Sequence, residues 1–188
     1  MGNPIVMLAG LPGTGKSTIA KDLEDRLNYD RHSILDLRRS LGHKRHRSTQ
    51  VQATIQQLYV QVDKSLQEGK GTIIDYIHTT PISRGIVYNM SEMYGVDVIV
   101  IETYCSERLA KKRMQARPKN DGLVSNPRNP KTYDKFSQRW QDIHDDLKLF
   151  PSAPISYLRY NSETNELQEV QIRESVRPII NSIRQAIL

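Results

Sequence analysis

The residues of this sequence most suited to chemistry form a glycine-rich stretch near its beginning. Residues 10–18 read GLPGTGKST and match the pattern G-x-x-x-x-G-K-[ST], with Lys16 and Ser17 at its end. In such a loop, backbone N–H groups turn inward around phosphate oxygens, the lysine reaches the β- and γ-phosphates, and the hydroxyl group binds Mg²⁺. The predicted nucleotide-binding residues are Leu11, Pro12, Gly13, Thr14, Gly15, Lys16, Ser17 and Thr18. We therefore expect ATP or another nucleoside triphosphate as ligand, Mg²⁺ as cofactor and Lys16 as a catalytic residue.

Two aspartates are candidates for the remaining chemistry. Asp75 closes the apolar run TIID at a predicted strand end, where a carboxylate can hold Mg²⁺ together with Ser17. Asp36 lies near the end of a predicted strand over 32–37, expected beside the strand that leads into the glycine-rich loop. At the carboxyl edge of the sheet, Asp36 could take the proton from a hydroxyl group that receives the γ-phosphate, which we call the acceptor. For each aspartate, the alternative is a cap of the following helix.

Basic side chains follow Asp36 and recur in a later helical segment. The stretch DLRRSLGHKRHRS, residues 36–48, contains five basic residues that we predict to bind acceptor phosphates: Arg38, Arg39, Lys44, Arg45 and Arg47. Arg113 and Arg117 are four residues apart and therefore share one face of a predicted helix. They are predicted to close over the triphosphate and to neutralise the charge that develops as its γ-phosphate is transferred. In both cases, the alternative is a solvated basic surface.

Composition limits the classes of protein to which the chain can belong. Its 188 residues predict a single domain over 1–188, and a net charge of +6 favours anionic partners. Cys105 is the sole cysteine, which excludes a disulfide framework and a cysteine-based zinc cluster. The run PIVMLAG is too short for a signal peptide, and no window approaches the ~18–20 apolar residues of a membrane-spanning helix. We expect a cytoplasmic protein without a membrane partner.

Apolar runs alternate with helical patterns along the chain. Strands are predicted over 4–10, 32–37, 71–75, 96–103 and 154–160. Helices are predicted over 16–28, 48–70, 81–95, 106–117, 131–150 and 166–188. This alternation predicts an α/β fold of three layers (α/β/α), with a mostly parallel five-stranded sheet. The segment 117–130 is rich in proline and asparagine, which predicts a mobile lid over about 106–131. No N-K-x-D motif or LSGGQ-like segment is present, which leaves the small kinases among proteins with this loop.

Together these motifs resemble those of the P-loop 5′-hydroxyl polynucleotide kinases, as in the bacteriophage enzymes, within the wider group of small P-loop kinases. The resemblance covers roughly residues 4–120 and rests on the D-x-x-R element Asp36–Arg39, on GTIID with Asp75, and on ERLAKKRMQAR with Arg113 and Arg117. It implies a P-loop NTPase fold of the kinase type and transfer of the γ-phosphate of ATP to a hydroxyl group. The implied acceptor is the 5′-hydroxyl end of RNA or DNA, with Asp36 as the base.

Two other functions stay open. The D-x-x-R element is shared with seryl-tRNA kinases, zeta toxins and several small-molecule kinases, so the acceptor could be a small molecule or an aminoacyl-tRNA. The segment NPKTYDKFSQRW, residues 129–140, resembles ATP-driven tRNA-modification factors. An ATP-hydrolysing nucleic-acid-binding or assembly factor is therefore the second alternative. The sequence leaves the oligomeric state and the preferred triphosphate open.

Overall fold

A mostly parallel sheet runs through the middle of the protein. The computed structural model describes residues 2–42, 48–118 and 128–188. Within these residues there are six strands: β1 Ile5–Ala9, β2 Asp30–Ser33, β3 Thr72–Asp75, β4 Val98–Tyr104, β5 Ile155–Asn161 and β6 Glu166–Gln171. Their order across the sheet is β2-β3-β1-β4-β5-β6. The first five of these pair in parallel, and β6 pairs antiparallel with β5 at the edge.

Helices cover both faces of this sheet. The described residues form eight helices: α1 Lys16–Leu27, α2 Ile34–Ser40, α3 Ser48–Gln67, α4 Pro81–Tyr94, α5 Glu107–Gln115, α6 Lys131–Ser137, α7 Asp146–Leu149 and α8 Arg177–Ile187. Two short 3₁₀ turns occupy Ile143–Asp145 and Glu174–Val176. Helices α3 and α4 pack on one face of the sheet, whereas α1 and α8 pack on the other. Within the described residues, no helix is long and apolar enough to cross a membrane.

The central strand shows why the chain forms this three-layer arrangement. Every residue of β1 is buried, as expected for a parallel strand with helices on both faces. Successive side chains of a strand point to opposite faces, so Met7 joins the cluster under α3 and α4, while Leu8 joins the cluster under α1 and α8. The continuous apolar run IVMLA therefore supplies both halves of the core.

Three element predictions are wrong in their details. The sequence predicts one helix over 166–188, but residues 166–171 form β6. Asn165, at φ 62°, allows the tight reversal from β5, so the sheet has six strands rather than five. The sequence also predicts one helix over 131–150, but α6 ends at Ser137. The backbone beyond it is bonded elsewhere: Gln141 N donates to Thr79 O at 3.0 Å, and Arg84 donates to the carbonyl of Gln141.

The third correction concerns the surroundings of Asp36. The predicted strand over 32–37 ends at Ser33, whose hydroxyl oxygen caps the N-terminus of α2. Asp36 therefore lies in the first turn of a helix rather than at a strand end. Moreover, β2 is separated from β1 by β3. The side-chain cap of Ser33 is stronger than the strand preference of the apolar residues that follow it.

A buried polar network connects β1, α3 and α4. His78 is fully buried, with φ at 43°, and its Nδ1 lies 2.9 Å from the carbonyl oxygen of Leu8. A carbonyl oxygen can only accept, so Nδ1 carries the proton and Nε2 accepts from the hydroxyl group of Tyr59 at 3.3 Å. Nearby, Arg84 forms a fully buried ion pair with Asp146, which also accepts from the hydroxyl group of Tyr88. These contacts fix the chain that leaves β3.

The neutral state of His78 predicts a loss of stability in mild acid. Burial lowers the pKa of His78 from 6.5 to about 4. As the pH falls, His78 is therefore protonated at a higher pH in the unfolded chain than in the folded protein. Stability that is fully present above pH 6.5 is lost as the pH falls towards 4. The loss should approach roughly 3 kcal/mol. Asparagine tolerates positive φ, so His78→Asn can keep the backbone conformation. Urea unfolding of this variant should show a smaller loss of stability between pH 7 and pH 4.5 than the parent protein shows. His144→Asn, at an exposed position, should behave like the parent protein; equal losses in all three would contradict the assignment.

Candidate active site

The glycine-rich loop joins β1 to α1 in the conformation that phosphate binding needs. Gly10, Gly13 and Gly15 all have positive φ, at 143°, 86° and 101°. A Cβ atom at Gly13 would overlap the backbone of Ala110, so a larger residue there would push α5 away. Helix α1 begins directly at Lys16, which places its free backbone N–H groups and its positive dipole end at the loop. The predicted loop therefore has the required strand–loop–helix context.

Lys16 extends back over the loop. Its Nζ donates to the carbonyl oxygens of Gly10 and Leu11, both at 2.8 Å. Burial lowers the pKa of Lys16 to about 8. An arriving anion would favour the protonated ammonium group, because an opposite charge at short range raises the pKa of a lysine. The lysine is thus already folded towards the place where phosphates would lie.

Residues predicted from separate motifs meet around one cavity of about 400 Å³ beside this loop. We call it the phosphate cavity. The predicted catalytic, nucleotide-binding, metal-binding and acceptor-binding residues that line it are Gly13, Gly15, Lys16, Ser17, Thr18, Asp36, Arg39, Asp75, Arg113 and Arg117. Pro12 instead lines a second cavity, and Leu11 packs against the small α5–α6 cluster. Thr14 is buried, and its hydroxyl group shares a hydrogen bond with that of Thr103 at 2.7 Å.

Asp75 is the buried carboxylate of this cavity. It ends β3, pairs in register with Leu8 and Ser33 on the neighbouring strands, and is only 4% exposed. Burial raises its pKa. Its Oδ2 has no hydrogen-bond partner among the described residues, although Arg31 Nη1 lies 3.8 Å away. A buried oxygen of this kind requires a partner, and a divalent cation could provide it.

The donor set at Asp75 fits Mg²⁺. Ser17 lines the same cavity and offers a hydroxyl oxygen. Within the described residues, no group of three or more His, Cys, Asp or Glu could hold a metal ion by itself. Mg²⁺ does not require such a group, since it is usually bound through one or two carboxylates, water molecules and the phosphates of a substrate. Ser17 and Asp75 therefore suit an ion that arrives with a nucleotide.

Asp36 is held by two arginines. Its Oδ2 accepts from Arg31 Nη2 at 2.9 Å, and its Oδ1 accepts from Arg39 Nη1 at 2.6 Å. Partial burial opposes ionisation, but the hydrogen bonds and charges of the two arginines outweigh it and lower the pKa of Asp36. The carboxylate is thus ionised at neutral pH. Its proton affinity is low, so it is better suited to orienting a hydroxyl group than to removing its proton early.

Sequence reasoning did not identify Arg31 as part of the site. This arginine of β2 also donates to Glu24 at 2.6 Å, and its side chain is only 13% exposed. Its guanidinium group therefore connects Asp36 with the surroundings of Asp75. One signal was available: an arginine inside a strand of a covered sheet has to find anionic partners. The sequence could not show which carboxylates those partners are.

The two acceptor-side arginines point to different places. Arg39, a predicted acceptor-binding residue, is exposed and lines the phosphate cavity. Arg38 is only 4% exposed and lines the second cavity instead. Adjacent residues of a helix face about 100° apart, which explains their separation. Lys44, Arg45 and Arg47 lie outside the described residues.

Arg113 and Arg117 come from the lid region, which is described over 106–118 and 128–131. Arg113 donates to the hydroxyl group of Ser162 at 2.7 Å and to its carbonyl oxygen at 2.9 Å, so it is held by the turn after β5. Arg117 lines both cavities. Helix α5 packs against α6 through Ala110, Met114 and Tyr133. The lid helix is therefore docked, with its arginines at the edge of the phosphate cavity.

Comparison with known proteins agrees with this geometry. A family model described as an AAA domain matches residues 5–140 of the chain. Solved structures resemble the chain over nearly its whole length. A protein of Chloroflexus aurantiacus provisionally designated a kinase has a TM-score of 0.69 at 17% sequence identity, with 100% of both chains covered. A comparison with curated protein sequences gives no significant match.

Two further structures contain bound nucleotides. Kti12 of Chaetomium thermophilum, solved in complex with ADP-AlF3, has a TM-score of 0.62 at 20% identity, covering 98% of this chain and 100% of its own. The APS kinase CysC of Mycobacterium tuberculosis, solved with AMPPNP and APS, has a TM-score of 0.58 at 17% identity, covering 97% and 98%. At these identities the likeness establishes the fold alone, which is the α/β P-loop fold of the kinase type.

The metal assignment can be tested without an activity assay. In the parent protein, Mg²⁺ should increase the affinity for a non-hydrolysable ATP analogue. Asp75→Asn should need roughly tenfold or more Mg²⁺ for the same effect, because a neutral amide replaces a charged ligand. Calorimetric titrations over a range of Mg²⁺ concentrations would measure this requirement. Asp30→Asn, at the opposite end of the neighbouring strand, is the matched control. An unchanged requirement in Asp75→Asn would remove Asp75 from the metal site.

Proposed function

We propose that this chain, which belongs to the AAA-domain family, is an ATP-dependent phosphotransferase acting on a hydroxyl group. The observation that carries the proposal is the composition of the phosphate cavity. A phosphate-binding loop, a buried carboxylate with an unbonded oxygen and a second, ionised carboxylate all line that one cavity. Phosphoryl transfer needs these groups, because its catalysis consists mainly of positioning and of charge stabilisation.

The proposed reaction assigns each group a role. The loop backbone and Lys16 bind the phosphates of ATP, and Ser17 and Asp75 would hold the Mg²⁺ that neutralises charge on them. The acceptor oxygen forms a bond to the γ-phosphorus as the bond from that phosphorus to the bridging oxygen breaks. Asp36 orients the hydroxyl group and takes its proton, while Arg113 and Arg117 stabilise the charge on the departing ADP.

For the acceptor we propose the 5′-hydroxyl end of a polynucleotide, RNA or DNA. Arg39 supports this choice, because it is exposed beside Asp36 and could hold a backbone phosphate of the acceptor strand. Lys44, Arg45 and Arg47 follow it closely in sequence and would continue the positive charge along a longer strand. Contacts with a nucleic-acid backbone give affinity that does not depend on sequence. The excess positive charge of the whole chain acts in the same direction.

Two other functions would use the same loop. A small-molecule kinase would keep Asp36 and the phosphate cavity but would not use the basic run. An ATP-hydrolysing nucleic-acid-binding or assembly factor would need no acceptor hydroxyl group at all. The likeness to Kti12 covers 98% of this chain, which favours keeping the factor as the second candidate.

Labelling with ATP separates these functions. The protein with Mg²⁺ and γ-labelled ATP should label 5′-hydroxyl oligonucleotides and leave 5′-phosphorylated ones unlabelled. Lys16→Ala should abolish labelling, whereas Lys64→Ala, at an exposed position on α3, should not change it. Asp36→Asn should keep its ATP affinity but lose roughly 10²-fold or more in rate, the usual contribution of a general base. ATP hydrolysis without labelling of any acceptor would support the assembly factor, and labelling of small molecules alone would support the small-molecule kinase.

A further inference from the structure

A second cavity, of about 530 Å³, adjoins the phosphate cavity. We call it the apolar cavity. The two cavities share Lys16, Ser17, Leu35, Asp75 and Arg117, so they meet beside the residues assigned to the phosphates and the metal ion. A molecule in the apolar cavity would therefore present its hydroxyl group to the γ-phosphate of ATP. If the proposed transfer is correct, this cavity holds the acceptor, and its walls specify the chemical class of that acceptor.

The walls of the apolar cavity come from several parts of the chain. The phosphate-binding loop, helices α2 and α3, the residues after β3, and α6 supply its apolar side chains, which are Pro12, Ile34, Leu35, Val51, Ile55, Tyr76, Ile77 and Phe136. Among the described residues that line it, uncharged hydroxyl groups are few, chiefly those of Ser17, Thr132 and Tyr76. A sugar or another polyol would lose hydrogen bonds to water here and regain few of them. A flat heterocycle would lose few hydrogen bonds to water and would gain contact with the aromatic side chains.

The charges of the apolar cavity are mostly positive. The cations that line it are Lys16, Arg38, Arg117, Lys135 and Arg139, against the single carboxylate of Asp75. Lys135 and Arg139 form no ion pair with any described residue, so their charges are available to a ligand. The occupant should therefore carry a negative charge in addition to its apolar part.

Helix α6 holds these groups in place. Thr132, Lys135 and Phe136 follow the spacing of one helix face, and that face borders the cavity. Arg139 lies in the turn directly after α6, where its backbone N–H donates to the carbonyl oxygen of Phe136 at 3.1 Å. The opposite side of the helix is fixed to α5, where Asp134 pairs with Lys111 at 2.6 Å and Tyr133 packs against Met114. Phe136 and Lys135 are thus presented by an anchored element, as a specificity site requires.

We propose that the apolar cavity binds a nucleotide unit of the acceptor, with the base against Phe136 and the neighbouring phosphate at Lys135 and Arg139. This inference rests on the proposed function and narrows it, because it selects a nucleotide over a polyol as the acceptor. The volume lies within the 300–1,000 Å³ of typical small-ligand sites. A free nucleotide and the end of a polynucleotide carry the same chemistry, so both sources remain within the proposal.

The proposal can be tested by binding alone. The protein is first saturated with Mg²⁺ and a non-hydrolysable ATP analogue, which occupies the phosphate cavity. Adenosine 3′-monophosphate is then titrated by calorimetry and compared with ribose 5-phosphate. We expect the nucleotide to bind at least about tenfold more tightly, as base–aromatic stacking would provide. Equal or tighter binding of the sugar phosphate would overturn the proposal.

Matched variants identify the residues responsible. Phe136→Ala and Lys135→Met should each weaken nucleotide binding by about tenfold, whereas Phe136→Leu should lose less because it keeps most of the apolar contact. Lys131→Met, one turn earlier on α6, and Ile82→Ala, on the exposed surface of α4, should bind like the parent. Lys135 is exposed, so its substitution leaves the fold intact. An unchanged dissociation constant in both Lys135→Met and a folded Phe136 variant would also overturn the proposal.

The labelling and binding experiments fail independently. If the cavity binds the nucleotide but no 5′-hydroxyl oligonucleotide is labelled, the cavity assignment stands and the proposed reaction is wrong. If oligonucleotides are labelled but the Phe136 and Lys135 variants bind them normally, the reaction stands and the cavity assignment is wrong. A dinucleotide with a free 5′-hydroxyl group distinguishes the two sources: tighter binding than the mononucleotide indicates a polynucleotide end, and equal binding indicates a free nucleotide. Either result supports the cavity.

Discussion

The parallel pairing of β3 with its two neighbours is the constraint on which the rest of the site depends. Leu8 of β1 and Ser33 of β2 stand opposite Asp75, so all three strands end at the same level of the sheet. The phosphate-binding loop leaves the first strand there, and the helix that carries Asp36 leaves the second. A shift of one residue in either pairing would turn Asp75 to the other face of the sheet. The apolar runs that fill both halves of the core therefore also fix the geometry of the candidate site.

Electrostatics then decides how these strand ends are used. The carboxylates of Asp36 and Asp75 lie close to a larger number of cationic side chains, and Arg31 lies between these two carboxylates. In the protein alone, Lys16 donates hydrogen bonds to carbonyl oxygens of the loop, and Arg113 donates to Ser162. These contacts are modest ones that a polyanion can replace, because charge-assisted hydrogen bonds to phosphate are stronger than those to neutral oxygens. Among the described residues, Lys16 and Arg113 therefore form no ion pair that a phosphate would have to break, whereas Asp36 is held by ion pairs with Arg31 and Arg39.

Sequence reasoning succeeded where a single local rule decides the structure. A buried apolar run predicts β1, and the glycine pattern predicts the loop, because both depend on residues that are adjacent in sequence. It failed where distant contacts decide. Arg84 binds the carbonyl of Gln141 and ends a helical pattern that looked continuous, and the β5–β6 reversal turns a helix-like segment into an edge strand. Arg31 and the apolar cavity were missed for the same reason, since the residues around each of them come from separate parts of the chain.

The two cavities depend on different parts of the sequence. The phosphate cavity depends on features of the fold, whereas the apolar cavity depends on side chains particular to this chain. The phosphate cavity is built from the loop and the strand ends, which any protein of this fold must possess to bind a triphosphate. The apolar cavity is built from α2, α3 and α6, whose surface residues can change without disturbing the sheet. A common fold can therefore accommodate different acceptors by altering these helices alone. In this chain, Phe136 and Lys135 on the anchored helix α6, with Arg139 in the turn that follows it, combine an aromatic side chain with positive charge. Under the proposed function, this combination, more than the phosphate-binding loop, would restrict the acceptor to a nucleotide.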